Sequence, residues 1–157
     1  FRECEVRDTV HDPGAAMMGG LACHAGLLTN AYDLAELAET WRRGGVFKGI
    51  RIVPEDVLDR WTGRAFADGD NRRGMAFDKP ALEPDSGPTC DLASWESFGH
   101  SGFTGTLVWV DPTYDLVYVF LSNRTYPDAA NKTLLRLDTR TEIQRVVLEH
   151  LGATSRF

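Results

Sequence analysis

A histidine, a hydroxyl side chain and several glycines are concentrated in one short segment of the sequence. The segment reads GHSGFTGT from Gly99 to Thr106, with His100, Ser101 and Gly102 consecutive. A histidine can exchange a proton near neutral pH, and a serine hydroxyl can donate or accept a hydrogen bond. Glycine has no side chain, so another group can approach the backbone beside it. The segment is therefore the first candidate for a functional site.

Histidines elsewhere offer a second, weaker candidate. His11-Asp12 and His24 could supply two imidazoles and a carboxylate to a metal ion. The histidines lie thirteen positions apart in irregular chain, which fixes no geometry, so we expect a structural role for this group. A contact of His11 with substrate stays open. The Arg72-Arg73 pair predicts solvated surface. No carboxylate pair has a spacing suited to glycoside hydrolysis, and no glycine-rich phosphate loop precedes a lysine.

A hairpin is predicted directly after the candidate segment. Thr106–Val110 and Leu116–Leu121 are rich in β-branched and aromatic residues. The linker Asp111-Pro112-Thr113-Tyr114-Asp115 has the composition of a turn. We therefore expect His100 to Gly102 to lie at the start of a strand of this sheet.

Two helices and two irregular regions are predicted before the hairpin. Apolar residues recur at helical spacing from Ala31 to Trp41, and Gly44-Gly45 ends the pattern. Pro54 suits the first position of a short helix that ends near Gly63. Residues 1–30 are glycine-rich and are expected to form a loop. Residues 64–88 are expected to form a surface excursion, in which Gly74-Met75-Ala76-Phe77 could be one short strand.

A third helix is predicted near the end of the chain and completes an α+β fold. Thr139-Arg140-Thr141-Glu142 has the form of a capping box, and Gly152 would end the helix. We expect this helix to pack across the hairpin. An antiparallel sheet with helices packed on it is the predicted architecture. The apolar face of the third helix is expected to comprise Ile143, Val146, Val147 and Leu151.

The strand with its leading His-Ser-Gly resembles the third active-site motif of the serine β-lactamase and penicillin-binding-protein superfamily. That motif is usually Lys-Thr-Gly, and many class C-like esterases of the superfamily have His-x-Gly instead. The resemblance covers most of the chain, in the order of the carboxy-terminal half of that family. It rests on three segments, Val10 to Gly45, Arg51 to Trp61 and Gly99 to Pro127.

The resemblance implies a role for each residue of the motif. His100 would take the place of the usual lysine, keeping the site electropositive or relaying a proton. Ser101 would hydrogen-bond the carboxylate or carbonyl of the substrate, and Gly102 would leave room for the substrate backbone. The N–H of Phe103 would be one oxyanion donor. Glycines at positions 102 and 105 can equally mark a strand bulge. The resemblance implies no metal and no cofactor.

The nucleophile motifs of the superfamily do not occur in these 157 residues. No serine has a lysine three residues later, and no tyrosine or serine has an asparagine two residues later. We therefore interpret residues 1–157 as the carboxy-terminal portion of one β-lactamase-like domain, inactive alone, whose missing amino-terminal portion carries Ser-x-x-Lys. The complete protein would act on an ester, a β-lactam or a peptide through an acyl-enzyme. The alternative is a non-catalytic module of the same fold that binds a ligand or the cell wall.

Composition restricts the other possibilities. With 43% hydrophobic residues, the chain can bury one core. A net charge of −6 and the lack of a basic stripe argue against nucleic acid. The longest apolar run, Leu116–Leu121, is too short to span a bilayer. The compartment is not encoded in these residues, although the resemblance suggests an exported or periplasmic bacterial protein. Cys4, Cys23 and Cys90 show no metal-type spacing, and inert thiols are expected.

Overall fold

The computed structural model describes residues 5–20, 22, 24–66, 69–84 and 86–157. Cys4 and Cys23 lie outside the described residues. The chain divides into two compact units, residues 1–30 and residues 31–157. In chain order the elements are α1 (Pro13–Met17), α2 (Ala31–Arg42), β1 (Val46–Phe47), β2 (Ile50–Arg51), α3 (Glu55–Thr62), β3 (Phe98–Ser101), β4 (Leu107–Asp111), a 3-10 turn (Pro112–Tyr114), β5 (Leu116–Phe120), α4 (Thr133–Arg136) and α5 (Thr139–His150).

The first unit contains a helix where an irregular loop was expected. The Asp12 carboxylate accepts a hydrogen bond from the backbone N–H of Ala15 at 2.8 Å and caps α1. Pro13 follows at the first helical position, where its missing N–H has no cost. Gly19 and Gly20 then adopt positive φ angles of 88° and 83°. An N-cap and a proline are therefore sufficient to start a five-residue helix in this glycine-rich segment.

The second unit is built on an antiparallel sheet in the order β3-β4-β5, with a separate two-stranded sheet, β1-β2. The predicted hairpin is confirmed: β4 and β5 pair from Leu107↔Phe120 to Asp111↔Leu116. The expected position of His100 to Gly102 is corrected. Phe98–Ser101 forms a strand of its own, β3, which precedes the hairpin and pairs with β4 from Phe98↔Val110 to Ser101↔Leu107. His100 therefore lies near the end of one strand and not at the start of the next.

Helices cover both faces of this sheet. On one face α2 buries Ala38 against Phe98 and Val110. On the other face Leu148 of α5 packs with Leu116, and the backbone carbonyl of Arg140 accepts a hydrogen bond from the Tyr118 hydroxyl at 2.9 Å. The predicted α+β class, the helix over Ala31–Arg42 and the packing of the last helix across the hairpin are confirmed.

The apolar face predicted for α5 is wrong. Ile143, Val146 and Leu151 are exposed, whereas Leu148 and Gln144 are buried. Gln144 can be buried because its side-chain oxygen accepts a hydrogen bond from the backbone N–H of Cys90 at 3.2 Å. The predicted capping box is absent as well: Asp138 is the N-cap, with no side-chain hydrogen bond.

The predicted strand Gly74-Met75-Ala76-Phe77 does not form. The backbone N–H of Gly74 donates to the carbonyl of Phe77 at 2.9 Å and closes a turn, which prevents an extended run. Pairing begins one residue later, where Asp78 forms an isolated antiparallel bridge with Gly99 of β3.

Candidate functional site

The candidate site lies on β3 and at its outer edge. Successive side chains of a strand point to opposite faces, and residues paired in register share a face. His100 pairs with Val108 and lies on the face covered by α2. Ser101 pairs with Leu107 and lies on the opposite face. The structure therefore brings the predicted residues to one place in the fold but does not direct the two side chains to the same side of the sheet.

Residues 71–79 are held beside β3 by aromatic packing. Phe77 lies between Trp41 of α2 and Phe98 of β3, with ring centroids 5.2 and 5.1 Å away and edge-on geometry. Such edge contacts between aromatic rings are favourable beyond the area that they bury. The packing places Asp78, the next residue, against the outer edge of β3.

Asp78 pairs with the outer edge of β3 at a single residue, Gly99. Its backbone N–H donates to the carbonyl of Gly99 at 2.8 Å, and its carbonyl accepts from the N–H of Gly99 at 3.1 Å. In an antiparallel strand every second residue directs its N–H and C=O to the same edge. Ser101, two residues after Gly99, therefore directs its backbone groups to the edge that Asp78 borders.

The imidazole of His100 has hydrogen-bond partners at both nitrogens. Arg73 Nη1 lies 3.0 Å from His100 Nε2, and His100 Nδ1 lies 2.8 Å from the carbonyl oxygen of Ser101. A guanidinium can only donate, so Nε2 accepts and carries no proton. Nδ1 then carries the proton and donates to Ser101. These contacts select the neutral Nδ1-protonated tautomer of His100.

The positive charge at the site comes from Arg72 and Arg73, which the sequence predicts to be solvated surface residues. Arg72 makes a two-pronged ion pair with Asp78, through Nε to Oδ1 at 2.8 Å and Nη2 to Oδ2 at 2.9 Å. Arg73 Nε lies 3.6 Å from the same Oδ1. Two guanidinium groups thus share one buried carboxylate, and the site has a net positive charge beside His100. Arg72 is half-buried in its ion pair with Asp78, whereas Arg73 is exposed, as the solvated-surface prediction expects.

Arg73 and Asp78 are the residues that sequence reasoning missed. Both lie in the irregular region 64–88, where no periodicity predicts which side chains face the sheet. One feature of the sequence could have indicated that this region contributes to the site. Asp78 is an acidic residue that directly follows the predicted strand, six residues after Arg72. That spacing does not reveal a contact with His100.

Gly102 and Phe103 belong to the turn that follows β3. The N–H of Gly102 donates to the carbonyl of Thr106 at 2.8 Å, and a Cβ on Gly102 would lie 2.2 Å from the Thr106 hydroxyl. A side chain at position 102 would therefore displace the Thr106 hydroxyl. Phe103 is exposed, with the guanidinium of Arg124 4.5 Å from its ring centroid. The substrate roles of Ser101, Gly102 and Phe103 stay predictions.

A buried carboxylate holds the loop that leads into β3. Asp111, at the end of β4, accepts hydrogen bonds from the Ser94 N–H at 2.8 Å and the Ser94 hydroxyl at 2.6 Å. It also accepts one from the N–H of Thr113 at 3.2 Å. Asp111 was predicted as a turn residue, and it does cap the 3-10 turn. Through Ser94 it also fixes the start of β3 relative to the hairpin.

His24 of the first unit contacts the Asp12 carboxylate. His24 Nε2 lies 3.3 Å from Asp12 Oδ1. The hydrogen bond from the Ala15 N–H, ahead of the charge of His24, lowers the pKa of the Asp12 carboxyl. Across the described parts of the chain, no group of three or more histidine, cysteine or acidic side chains is arranged to hold a metal ion. The contact fits the structural role expected for His24.

Comparison with known proteins identifies the family. The sequence pattern of the Beta-lactamase family matches residues 3–141. The chain belongs to the beta-lactamase family. Proteins of Salmonella paratyphi B, Salmonella newport and Salmonella heidelberg, each named "Putative D-alanyl-D-alanine carboxypeptidase", are 33% identical over 124 residues, covering 78% of this chain and 28% of each relative. The chain thus spans less than a third of the length of these relatives.

Membership of the beta-lactamase family confirms the resemblance carried by the Gly99–Thr106 segment and places the chain in a serine hydrolase family. Neither the nucleophile motif nor the second motif occurs among these 157 residues. Within the part of the chain that the structure describes, no helix is long and apolar enough to cross a membrane.

Proposed function

We propose that this chain forms one wall of the active site of a serine hydrolase that cleaves an ester or amide through an acyl-enzyme. The observation that supports the proposal is the hydrogen-bonded series from Arg73 through His100 to the carbonyl of Ser101, at the outer edge of β3. Its first candidate substrate is a peptide ending in D-alanyl-D-alanine, because the relatives carry the name of a carboxypeptidase for that dipeptide. Simple esters and β-lactams are the next candidates.

The outer edge of β3 suits an extended substrate. Beyond the bridge to Asp78, the backbone groups of Ser101 point to this edge. An extended peptide or acyl chain can add to a strand edge through main-chain hydrogen bonds. A substrate that pairs with Ser101 would lie beside His100 and Arg73, which is where the acyl carbon must be positioned.

The resemblance gives His100 the role of keeping the site electropositive or relaying a proton. We assign the first of these roles to Arg73. Arg73 supplies the positive charge and suits the carboxylate of a peptide or a developing oxyanion. Arg73 Nη1 lies against the Nε2 lone pair of His100. His100 can therefore accept a proton at Nε2 only after Arg73 has turned to the substrate. The arrangement favours an electrostatic and orienting role for His100 over a proton relay in the substrate-free state.

The nucleophilic serine in this proposal comes from outside residues 1–157, together with its lysine. Attack of that serine on the carbonyl carbon would release the alcohol or amine and leave an acyl-enzyme, which water then hydrolyses. The chain by itself is expected to turn over no substrate.

The test compares the 157-residue chain with the complete gene product. Turnover is measured on a peptide ending in D-alanyl-D-alanine, a chromogenic ester and a cephalosporin. We expect turnover of at least one substrate by the complete protein, and none by the chain alone. In the complete protein, His100→Ala should lower turnover by about a hundredfold or more. The matched control is His150→Ala, which removes an exposed histidine at the end of α5 and should leave turnover unchanged.

Three results would count against the proposal. A complete protein that lacks Ser-x-x-Lys and turns over none of the three substrates is not a hydrolase. Binding of the peptide without turnover would instead support the non-catalytic module. Unchanged turnover in His100→Ala would remove His100 from the mechanism.

A further inference from the structure

A cavity lies on the α2 face of the second unit. It has a volume of about 520 Å³ and opens between α2, α3 and the beginning of β3. Its apolar wall comes from Trp41, Leu58 and Phe98. Arg73, Asp78, His100 and Ser101 are not among the described residues that line it, although Phe98 belongs to β3. The volume is that of a site for a small organic molecule, and the lining combines these apolar side chains with charged groups from α2 and α3.

One lysine is buried in the wall of this cavity. Lys79 is only 4% exposed, and its Nζ donates a hydrogen bond to the backbone carbonyl of Glu96 at 2.9 Å. An ammonium group has three protons to donate; the described residues provide this one hydrogen-bond acceptor and the Phe98 ring, whose centroid is 5.9 Å from Nζ. A buried cation with few partners is costly, so an incoming anion would be stabilised there.

The electrostatic surroundings of Lys79 also favour an anion. Burial, followed by the positive charge of Arg64, lowers the pKa of Lys79 to about 8. Glu96 and Asp111 attract the ammonium but do not outweigh these effects. At neutral pH Lys79 therefore carries a charge that its surroundings do not fully compensate.

We propose that this cavity binds a small organic monocarboxylate, whose apolar body packs on Trp41, Leu58 and Phe98 and whose carboxylate accepts a hydrogen bond from Lys79 Nζ. The rim accounts for the single charge. Arg42 and Arg43 are already paired with Glu39, and Glu55 and Asp59 on the α3 side would repel a second carboxylate. This site is independent of the proposed hydrolase activity.

The test uses the 157-residue chain and benzoate, with the neutral isostere benzamide as the matched ligand, in titration calorimetry. At about pH 7 we expect benzoate to bind at least tenfold more tightly than benzamide. Lys79→Met should remove this preference, and Lys79→Arg, which keeps the charge, should retain part of it. Lys132→Met is the control, because Lys132 is exposed and lies outside the cavity lining, and should bind like wild type.

A pH series gives a readout that a folding defect would not mimic. The preference for benzoate should be nearly full at about pH 7, fall as the pH passes about 8 and be lost toward about pH 9.5, because Lys79 loses its proton. Carboxylate and guanidinium groups keep their charges over this range, so the groups around the cavity do not change. Equal affinity for benzoate and benzamide, or a preference that persists in Lys79→Met or at about pH 9.5, would overturn the proposal. Circular dichroism verifies the fold of each variant, and the wild-type pH series decides the result if Lys79→Met fails to fold.

Discussion

Arg73 donates to His100 across 27 residues of sequence, with Nη1 3.0 Å from Nε2. The contact exists because Phe77 packs between α2 and β3 and brings the whole 71–79 segment to the outer edge of the sheet. Asp78 then fixes the backbone by exchanging two hydrogen bonds with Gly99, the residue before His100. The tautomer of His100 therefore depends on Arg73 of the 71–79 segment and not on β3 itself.

Substitution of Arg73 by alanine should change the tautomer of His100. In the wild-type chain, long-range proton–nitrogen NMR spectra are expected to show His100 protonated at Nδ1 and unprotonated at Nε2. In Arg73→Ala the Nε2 lone pair loses its donor, so the population of the Nε2-protonated form should rise. Arg43→Ala is the control, since Arg43 pairs with Glu39 on α2 and should leave the His100 signals in place. A wild-type His100 already protonated at Nε2 would contradict the structure.

Loss of Arg72 should destabilise the fold. Asp78 is 2% exposed, and Arg72 provides its two-pronged partner. Arg72→Ala leaves a buried carboxylate with fewer donors, and we expect the free energy of unfolding to fall by about 1–3 kcal/mol. Urea denaturation measures the change. Arg60→Ala is the matched control, because Arg60 and Asp56 form an exposed pair whose loss should cost less than about 1 kcal/mol. Equal costs for the two substitutions would show that Arg72 does not stabilise Asp78.

The elements that sequence predicted correctly are those set by local pattern. The β4–β5 hairpin follows from two apolar runs around a proline-containing turn. The α2 helix follows from helical spacing that ends at two glycines, where Gly44 and Gly45 do adopt positive φ angles. In both places short-range preference and tertiary burial agree.

The elements that sequence did not predict are those set by distant contacts. The partner of His100 comes from a loop whose position depends on Phe77, and the loop has no periodicity of its own. The buried face of α5 includes Gln144, which an apolar pattern cannot select, because its burial depends on the N–H of Cys90 54 residues away. Local pattern therefore located the strand segment of the site but not the charge beside it.

The ion pairs at the end of α2 should make stability depend on acidity. Hydrogen bonding from Arg42, ahead of all other effects, lowers the pKa of Glu39 from 4.5 to about 2. Because the folded-state pKa is lowered, the stabilisation is complete above about pH 4.5 and is lost as the pH falls toward about 2. Glu39→Gln should therefore cost about 1–2 kcal/mol at pH 7, allowing for solvent screening, and progressively less below about pH 4.5.

Urea unfolding of Glu39→Gln and wild type at several pH values measures this dependence. The matched control is Glu149→Gln, an exposed glutamate near the end of α5, which should change stability little at any of these pH values. A Glu39→Gln deficit that stays constant from pH 7 to about pH 3 would mean that the charge of Glu39 contributes nothing.

Two neighbouring positions of α5 distinguish the observed helix face from the predicted one. Leu148 is 0% exposed and packs with Cys90, Leu92 and Ala93, whereas Val146 is 65% exposed. Leu148→Ala should lower the free energy of unfolding by about 2–4 kcal/mol, because it removes buried methyl groups and leaves a cavity. Val146→Ala should change it by less than about 0.5 kcal/mol. If thermal or urea denaturation gave the reverse order, the helix would be rotated to the face that the apolar spacing predicts, and Gln144 would lose its hydrogen bond to Cys90.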